Sequence, residues 1–170
     1  QTAADLIDLD DAAGNNILTI TVADASVDAA NVNTINGKTT GTVTVSSGTV
    51  TGSYSELNTL YSSKAGTAGL ANEAFTVSGT ITVTEANALD DHTTGVITAT
   101  ISTGDAATLK TLTDDNNNNV YTATITDSSV SVSDINTINA ITDGTLTINS
   151  TTVTGSYSDL NTLYSTPTGT

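Results

Sequence analysis

The sequence VTGSYSELNTLYS at residues 50–62 returns, with one substitution, as VTGSYSDLNTLYS at residues 153–165. The offset is 153 − 50 = 103 residues, and the pairs Val22/Ile125, Asn33/Asn136 and Ile35/Ile138 keep it. A match of this length indicates a duplicated structural unit, and we place its two copies at residues 22–62 and 125–165.

A shorter pattern divides the chain more finely. It consists of a polar residue, then Thr or Ala, then an aliphatic residue. It starts at Asn33, Asn58, Asn87, Lys110, Asn136 and Asn161, and a degenerate copy surrounds Asp8. Successive copies lie 23 to 29 residues apart, within the range of about 20 to 50 residues that is typical of solenoids. We therefore predict one elongated solenoid over residues 1–170, with about seven units of which the first and last are incomplete.

Each unit combines a strand pattern with a helix pattern. Aliphatic residues alternate with Thr, which is typical of half-buried strands, at residues 17–22, Val43/Val45, Ile81/Val83, Ile97/Ala99/Ile101, Tyr121/Ala123/Ile125 and Leu146/Ile148. Short helix patterns follow, and residues 1–14 also fit a short helix. The predicted fold is an α/β repeat solenoid of strand–turn–short-helix units with a parallel β-sheet; the alternative is an all-β solenoid with short helical corners.

Three sites match the capping box that begins a helix or its variant with Asp: Ser53 with Glu56, Ser131 with Asp134, and Ser156 with Asp159. Two stretches fit loops, the insert at residues 64–72 and the acidic and Asn-rich run at residues 114–119.

Composition excludes several classes of function. The chain has 18 acidic residues, 3 lysines and no arginine, for a net charge of −15, which disfavours binding to nucleic acid or to anionic membranes. No apolar run of about 18 residues could insert into a membrane, and the absence of Cys excludes disulfides and thiolate chemistry. The chain begins at Gln1 without Met, as expected of a processed product or of a piece of a longer polypeptide. We expect an extracellular or cell-surface location.

Catalysis has little basis in the sequence. His92 is the only histidine and lies in the polar stretch DDHTT at residues 90–94, which is typical of a solvated turn. The Ser- and Thr-rich strands offer hydroxyl groups but no base to activate them. We predict that the protein is not an enzyme.

Calcium is the one cofactor that the residues suggest. Acidic side chains cluster at Asp8, Asp10 and Asp11, at Asp90 and Asp91, and at Asp114 and Asp115. Carboxylate oxygens suit Ca²⁺, but neither the EF-hand spacing nor the nonapeptide of calcium β-rolls is present. Solvated acidic loops are the simpler interpretation.

Two polar patterns repeat with the units. Thr-x-Thr pairs would align on stacked strands about 4.8 Å apart, an arrangement that resembles the threonine surface of ice-binding solenoids. Outward threonines on an ordinary sheet are the simpler interpretation. The repeated Asn is interpreted as structural, with its amide bonding to loop backbone or to the next Asn.

The repeat resembles units of very large secreted and cell-surface repeat proteins of marine cyanobacteria and other aquatic bacteria. The matching segments are residues 40–43 (TGTV), residues 94–97 (TGVI), the two 13-residue sequences and residues 132–138 (VSDINTI). The resemblance implies a structural role in adhesion, motility or filament formation, and no catalytic residues. This chain is far shorter than those proteins.

The two ends of the chain suggest how copies would associate. The last helix pattern repeats the internal one at residues 57–61, and the first segment supplies Leu6 and Leu9 without a preceding strand. If the last helix of one copy packs on the first segment of another, the contact is heterologous, and a heterologous contact that does not close produces open fibres. We therefore expect a filament, surface array or matrix subunit that stacks head to tail on copies of itself and continues its sheet, through Leu6, Leu9, Leu160, Leu163 and Tyr164. The alternative is a calcium-dependent adhesin or a threonine-array ice-binding module. Surface glycans and Ca²⁺ are further candidate partners.

Overall fold

The computed structural model describes residues 1–10, 16–63, 67–115 and 118–165. Within these residues the protein is α/β, with parallel strands that alternate with short helices. The predicted α/β class and the parallel pairing of strands are confirmed, and the repeat solenoid stays a prediction. An all-β arrangement does not describe this chain, because helices of 8 to 10 residues follow several of its strands.

The chain divides into two compact units, each of which is described by itself. Unit 1 comprises Gln1–Ser78 and Asp91–Val96, and unit 2 comprises Gly79–Asp90 and Ile97–Thr170. The expectation of a single elongated body over the whole chain stays a prediction.

The elements of unit 1 are α1 (Ala3–Leu6), β1 (Ile20–Val22), β2 (Ser26–Asp28), α2 (Ala29–Asn36), β3 (Val43–Val45), β4 (Thr49–Gly52), α3 (Tyr54–Ser63), β5 (Thr67–Ala68) and the first part of β6 (Ala74–Ile81). The elements of unit 2 are the end of β6, α4 (Val83–Asp90), β7 (Ile97–Ile101), α5 (Ala106–Leu109), β8 (Val120–Ile125), β9 (Ser129–Ser131), α6 (Val132–Asn139), β10 (Leu146–Ile148), β11 (Thr152–Thr154) and α7 (Tyr157–Ser165).

Strands pair with strands one repeat away. Unit 1 contains the strand orders β1-β3-β5 and β2-β4-β6, and unit 2 contains β7-β8-β10 and β9-β11. In unit 1 Val43 lies opposite Ile20, and in unit 2 Val120 lies opposite Thr98. Since the sequence separation within these pairs is close to the sequence period, equivalent backbone positions of successive repeats are joined by hydrogen bonds within each unit.

The alternation of buried and exposed side chains follows the predicted period of two in most strands. In β7 the side chains of Ile97, Ala99 and Ile101 are buried, while the threonines between them are exposed. The strand predicted across Ile81/Val83 is wrong, because β6 ends at Ile81 and Val83 begins α4. The Thr82 hydroxyl and backbone N–H both donate to Glu85, a capping box that stops the strand and starts the helix.

The three predicted capping boxes are confirmed. At the start of α3, the Ser53 backbone N–H and hydroxyl each donate to Glu56 Oε2 at 2.7 Å, and the Glu56 N–H donates back to Ser53 Oγ. These bonds hold the pKa of Glu56 below its usual range. The same reciprocal pattern joins the hydroxyl of Ser131 to Asp134 and that of Ser156 to Asp159. The caps satisfy backbone N–H groups that a short helix cannot satisfy alone.

The duplication is longer than the sequence match indicates. At the offset of 103 found in the sequence, α1 corresponds to α5, β1 to the end of β8, β2 to β9, α2 to α6, β3 to β10, β4 to β11 and α3 to α7. We call residues 3–62 the first copy and residues 106–165 the second copy. Even the entry to the first helix is shared, since Asp24 accepts a bond from Ala3 N and Asp127 accepts one from Ala106 N, both at 2.7 Å.

The two predicted loops have different outcomes. In the insert at 64–72, residues 64–66 lie outside the described residues, but residues 67–68 form β5 and pair with β3, so this part is not a loop. In the run at 114–119, the described residues form no helix or strand, as predicted. One of them, Asn119, is nevertheless completely buried.

Candidate functional site

His92 lies in a turn, as predicted, but its side chain is half-buried and contacts α3. Its Nε2 lies 3.2 Å from Asn58 Oδ1 and 3.5 Å from Ser62 Oγ, and its ring stacks on Tyr61 with the centroids 6.0 Å apart. An amide oxygen can only accept, so the contact with Asn58 is a hydrogen bond in the tautomer that carries the proton on Nε2. In that tautomer Nε2 is not a base for the Ser62 hydroxyl, which itself donates to Asn58 Oδ1 at 3.0 Å.

The acidic residues predicted for calcium are placed apart or are bonded to protein. Asp8, Asp10 and Asp91 are exposed, and Asp11 lies outside the described residues. Asp115 is also exposed, and its backbone N–H donates to Asp90 at 3.3 Å. Asp114 accepts bonds from the backbone of residues 118 and 119. Within the part of the chain that the structure describes, no three acidic or histidine side chains come together as a metal site.

Unit 2 contains a buried polar cluster that sequence analysis did not identify. Asn119 Nδ2 donates to Asp90 Oδ1 at 2.8 Å and to the Tyr121 hydroxyl oxygen at 3.0 Å, while Asn119 Oδ1 accepts from Ile97 N at 2.8 Å. Burial, and then the charges of Asp90 and Asp114, raise the pKa of Tyr121 above its usual range. The cluster joins α4, β7 and β8 at one place.

Unit 1 has a comparable cluster around Tyr61 of α3. The Tyr61 hydroxyl donates to the buried carboxylate of Glu73 at 2.9 Å, and its ring meets Phe75 edge-on with the centroids 4.7 Å apart. Burial, and then the Glu73 charge, raise the pKa of Tyr61 above its usual range. The segment after α3 therefore covers that helix with an aromatic ring and a carboxylate.

At three places a buried threonine joins its repeat to the preceding one, and sequence analysis missed this role. The Thr142 hydroxyl donates to Tyr121 O at 2.9 Å and accepts from the N–H groups of Tyr121 and Gly144. Equivalent bonds join Thr39 to Leu18 and Thr93 to Glu73. The available signal was a Thr-x-Gly pattern at residues 39–41, 93–95 and 142–144.

The glycine of this pattern provides space. A Cβ on Gly144 would lie 2.3 Å from the carbonyl oxygen of Tyr121, and the same clash meets Gly41 at Leu18 and Gly95 at Glu73. Adjacent repeats therefore approach too closely for any side chain at this point.

The repeated asparagines are structural, as predicted, at two positions. Asn33 Nδ2 donates to Glu56 O at 3.0 Å, and Asn87 Nδ2 donates to Thr111 O at 2.7 Å. In both cases the amide bonds to backbone in the next repeat. In the second copy Asn136, the counterpart of Asn33, is exposed and lines an open groove between α6 and α7.

Threonines of neighbouring strands also lie in register. Thr100 lies opposite Thr122, and Thr124 lies opposite Thr147. All except the half-buried Thr124 are exposed. The ice-binding alternative stays a prediction.

The predicted assembly residues differ in their exposure. Leu6 is buried against the protein itself, where α1 packs on α2, so Leu6 has no free surface to offer a second copy. Leu9, Leu160 and Leu163 are half-buried, and Tyr164 is 69% exposed. Of the predicted assembly surface, the part that is exposed is therefore the apolar face of α7.

The two copies are covered at opposite ends. In the first copy, Leu57, Leu60 and Tyr61 of α3 are buried, whereas none of the residues of α7 is buried. At the other end, Ile17 is 82% and Leu18 is 40% exposed, whereas their counterparts Val120 and Tyr121 are half-buried and fully buried. The candidate functional surfaces are the two uncovered ends, α7 and residues 17–18.

Comparisons of the chain with protein-family models, with curated proteins and with solved structures gave no match. No helix among the described residues has both the length and the apolar character needed to cross a bilayer.

Proposed function

We propose that this protein is a non-enzymatic extracellular structural protein, a subunit of a filament, surface array or matrix, whose copies stack head to tail through their end repeats. The proposed architecture is a solenoid of strand–turn–short-helix units. Support for it comes from the parallel registers, because in both units each strand pairs with a strand about one sequence period away.

One observation carries the proposal. The helices α3 and α7 have nearly identical sequences, yet Tyr61 is 1% exposed and its counterpart Tyr164 is 69% exposed. The apolar face of α3 is satisfied by the repeat that follows it. An identical face that lies open favours burial against another repeat of the same kind, and a second copy of the chain supplies one.

The uncovered start of the first copy gives the other half of the contact. Ile17 and Leu18 are exposed, while the matching residues of the second copy are covered by the repeat before them. A surface that accepts a following repeat and a different surface that accepts a preceding repeat form a heterologous pair. Such a pair propagates into an open assembly rather than closing as a symmetric dimer.

Composition supports the location and solubility of such a subunit. A net charge of −15 keeps separate filaments apart through mutual repulsion, and the absence of Cys suits an oxidising environment. The resemblance to repeat units of large bacterial surface proteins agrees with this assignment.

The test is the state of association of the 170-residue chain as a function of concentration, by sedimentation velocity and negative-stain electron microscopy at about 0.15 M salt. We expect rods that lengthen with concentration. Leu163→Asp should weaken association by roughly 30-fold or more, because the apolar side chain that assembly would bury is replaced by a charge that assembly would desolvate.

A matched control adds the same charge to another side of the helix. Ser158→Asp should associate like the unaltered protein, because the counterpart of this residue, Ser55, stays exposed even where α3 is covered. A protein that stays monomeric over its whole soluble range, or filaments that survive Leu163→Asp, would contradict the proposal.

A further inference from the structure

The helix α4 is an internal template for the way α7 is covered. Both helices begin with a capping box, Thr82 with Glu85 in α4 and Ser156 with Asp159 in α7. The repeated Asn stands at the same place after each cap, as Asn87 in α4 and as Asn161 in α7. What contacts α4 therefore indicates what would fit α7.

The amide of Asn87 bonds to the segment that follows α5. Its Nδ2 donates to Thr111 O at 2.7 Å, and its Oδ1 accepts from Thr113 N at 2.9 Å. Both bonds are to backbone, so they depend on the path of the segment and not on its side chains. A segment with the same path presents the same two groups.

The segment after α1 begins in the same way, since Leu9 N donates to Leu6 O at 3.2 Å and its counterpart Leu112 N donates to Leu109 O at 3.2 Å. Since α5 is the counterpart of α1, residues 111 and 113 correspond at the offset of 103 to Asp8 and Asp10. Both are exposed in unit 1. Asn161 is also exposed, so both partners are accessible.

A second contact of α4 identifies the apolar part of the fit. Asp90 and Tyr121 share the amide of Asn119, with a short side chain on the helix and a large ring on the strand. The corresponding pair has the sizes reversed, because Tyr164 replaces Asp90 on the helix and Leu18 replaces Tyr121 at the strand. Tyr164 and Leu18 are both exposed, so the larger ring of one can fill the space left by the smaller side chain of the other.

From these correspondences we infer that α7 of one copy docks on Asp8, Asp10 and Leu18 of a second copy. The Asn161 amide bonds to the backbone of Asp8 and Asp10, and the Tyr164 ring packs on Leu18. This inference rests on the proposed head-to-tail assembly, to which it adds the partner surface and the register.

The absence of Cys from the sequence permits a direct test by cross-linking. Two proteins, one carrying Asp10→Cys and the other Asn161→Cys, are mixed in equal amounts and oxidised mildly. In the template, Asn87 bonds directly to the backbone N–H of Thr113, the counterpart of Asp10, so mixed dimers should form at least about tenfold faster than either homodimer. The control mixture of Asp10→Cys with Thr162→Cys should cross-link slowly, because Thr162 lies about 100° around α7 from Asn161 and its counterpart Thr59 stays exposed where α3 is covered.

A size exchange tests the apolar contact. Leu18→Tyr alone places two rings in one space, and Tyr164→Asp alone sets a charge against Leu18, so each should weaken association about tenfold. The double variant rebuilds the Asp90–Tyr121 arrangement and should recover to within about threefold of the unaltered protein.

The outcomes separate the two proposals. If the unaltered protein forms rods but the mixed disulfide is no faster than its controls, or the double variant is as weak as the product of the single effects, this register is wrong and head-to-tail assembly stands. If the unaltered protein is monomeric, both proposals fail.

Discussion

The helices α3 and α7 differ at one position in the ten residues from Ser53 to Ser62 and from Ser156 to Ser165, where Asp159 replaces Glu56. Both begin with the same reciprocal cap. Nevertheless, three large side chains of α3 are buried, whereas every residue of α7 is half-buried or exposed. Local sequence therefore determines that a helix forms and where it starts, but the next repeat determines whether its apolar face is buried.

The other end of the duplication shows the reverse. Tyr121 pairs with β7 and is fully buried, while its counterpart Leu18 is 40% exposed. The pair of comparisons fits the physics of repeat proteins, in which stability comes mainly from contacts between neighbours. The first copy is covered at its last helix, α3, and exposed at residues 17–18. The second copy is covered at Tyr121 and exposed at its last helix, α7.

The equivalent leucines Leu60 of α3 and Leu163 of α7 give the sharpest form of this comparison. Leu60→Ala should destabilise the protein by about 2–5 kcal/mol, because it leaves a cavity around a side chain that is buried. Leu163→Ala should cost less than about 1 kcal/mol, since the residue is only half-buried. Urea unfolding of dilute protein, followed by circular dichroism, measures both.

Concentration provides the control. In protein concentrated enough to associate, the cost of Leu163→Ala should rise toward that of Leu60→Ala, because assembly stabilises the folded state. Equal costs for the two variants in dilute protein would mean that α7 is already covered within the chain.

A smaller effect is expected at the glycines that lie against the preceding repeat. Gly144→Ala should cost about 2–3 kcal/mol, because the new Cβ meets Tyr121 O at 2.3 Å and β8 is held between β7 and β10. Gly41→Ala creates the same clash with Leu18, but β1 is an edge strand of its sheet and can yield, so we expect about 1 kcal/mol.

Thermal or urea unfolding of the two variants decides this prediction. Gly48→Ala is the matched control, because its nearest neighbour would lie 4.0 Å away and its effect should stay within about 0.5 kcal/mol. Gly41→Ala as costly as Gly144→Ala would show that the uncovered end is as rigid as the covered one.

The sequence predicts those features of this fold that depend on short spacings. Serine three residues before an acidic residue placed the starts of α3, α6 and α7 correctly, because the capping box is a contact within one turn. Alternating aliphatic residues likewise identified β7 and β8. The strand predicted across Val83 is wrong, because Thr82 and Glu85 form a capping box that starts a helix at Val83.

Features that depend on contacts between repeats were harder to predict. The hydroxyl of Thr142 and the missing side chain of Gly144 act on Tyr121 in the preceding repeat, and nothing local distinguishes this Thr from the outward ones. The burial of Asn119 depends in the same way on Asp90 and Tyr121. Leu6 was assigned to assembly because its pattern is apolar, but its own unit buries it.

The smallest expected effect concerns the buried tyrosines at the two covered ends, Tyr61 and Tyr121. Their surroundings raise the pKa of both above the value of about 10 that holds in the unfolded chain, so the folded state retains phenol protons that the unfolded state releases. This contribution to stability is complete below pH of about 10 and decreases above it.

Between about pH 9.5 and 10.5, the free energy of unfolding should fall by about 0.7 kcal/mol for each of these tyrosines. Tyr61→Phe and Tyr121→Phe should each remove one such share from the pH dependence, whatever they cost at neutral pH. Urea midpoints at the two pH values measure the difference, and a Tyr61→Phe curve parallel to that of the unaltered protein would mean that water reaches this ring and that α3 is less well covered than its burial indicates.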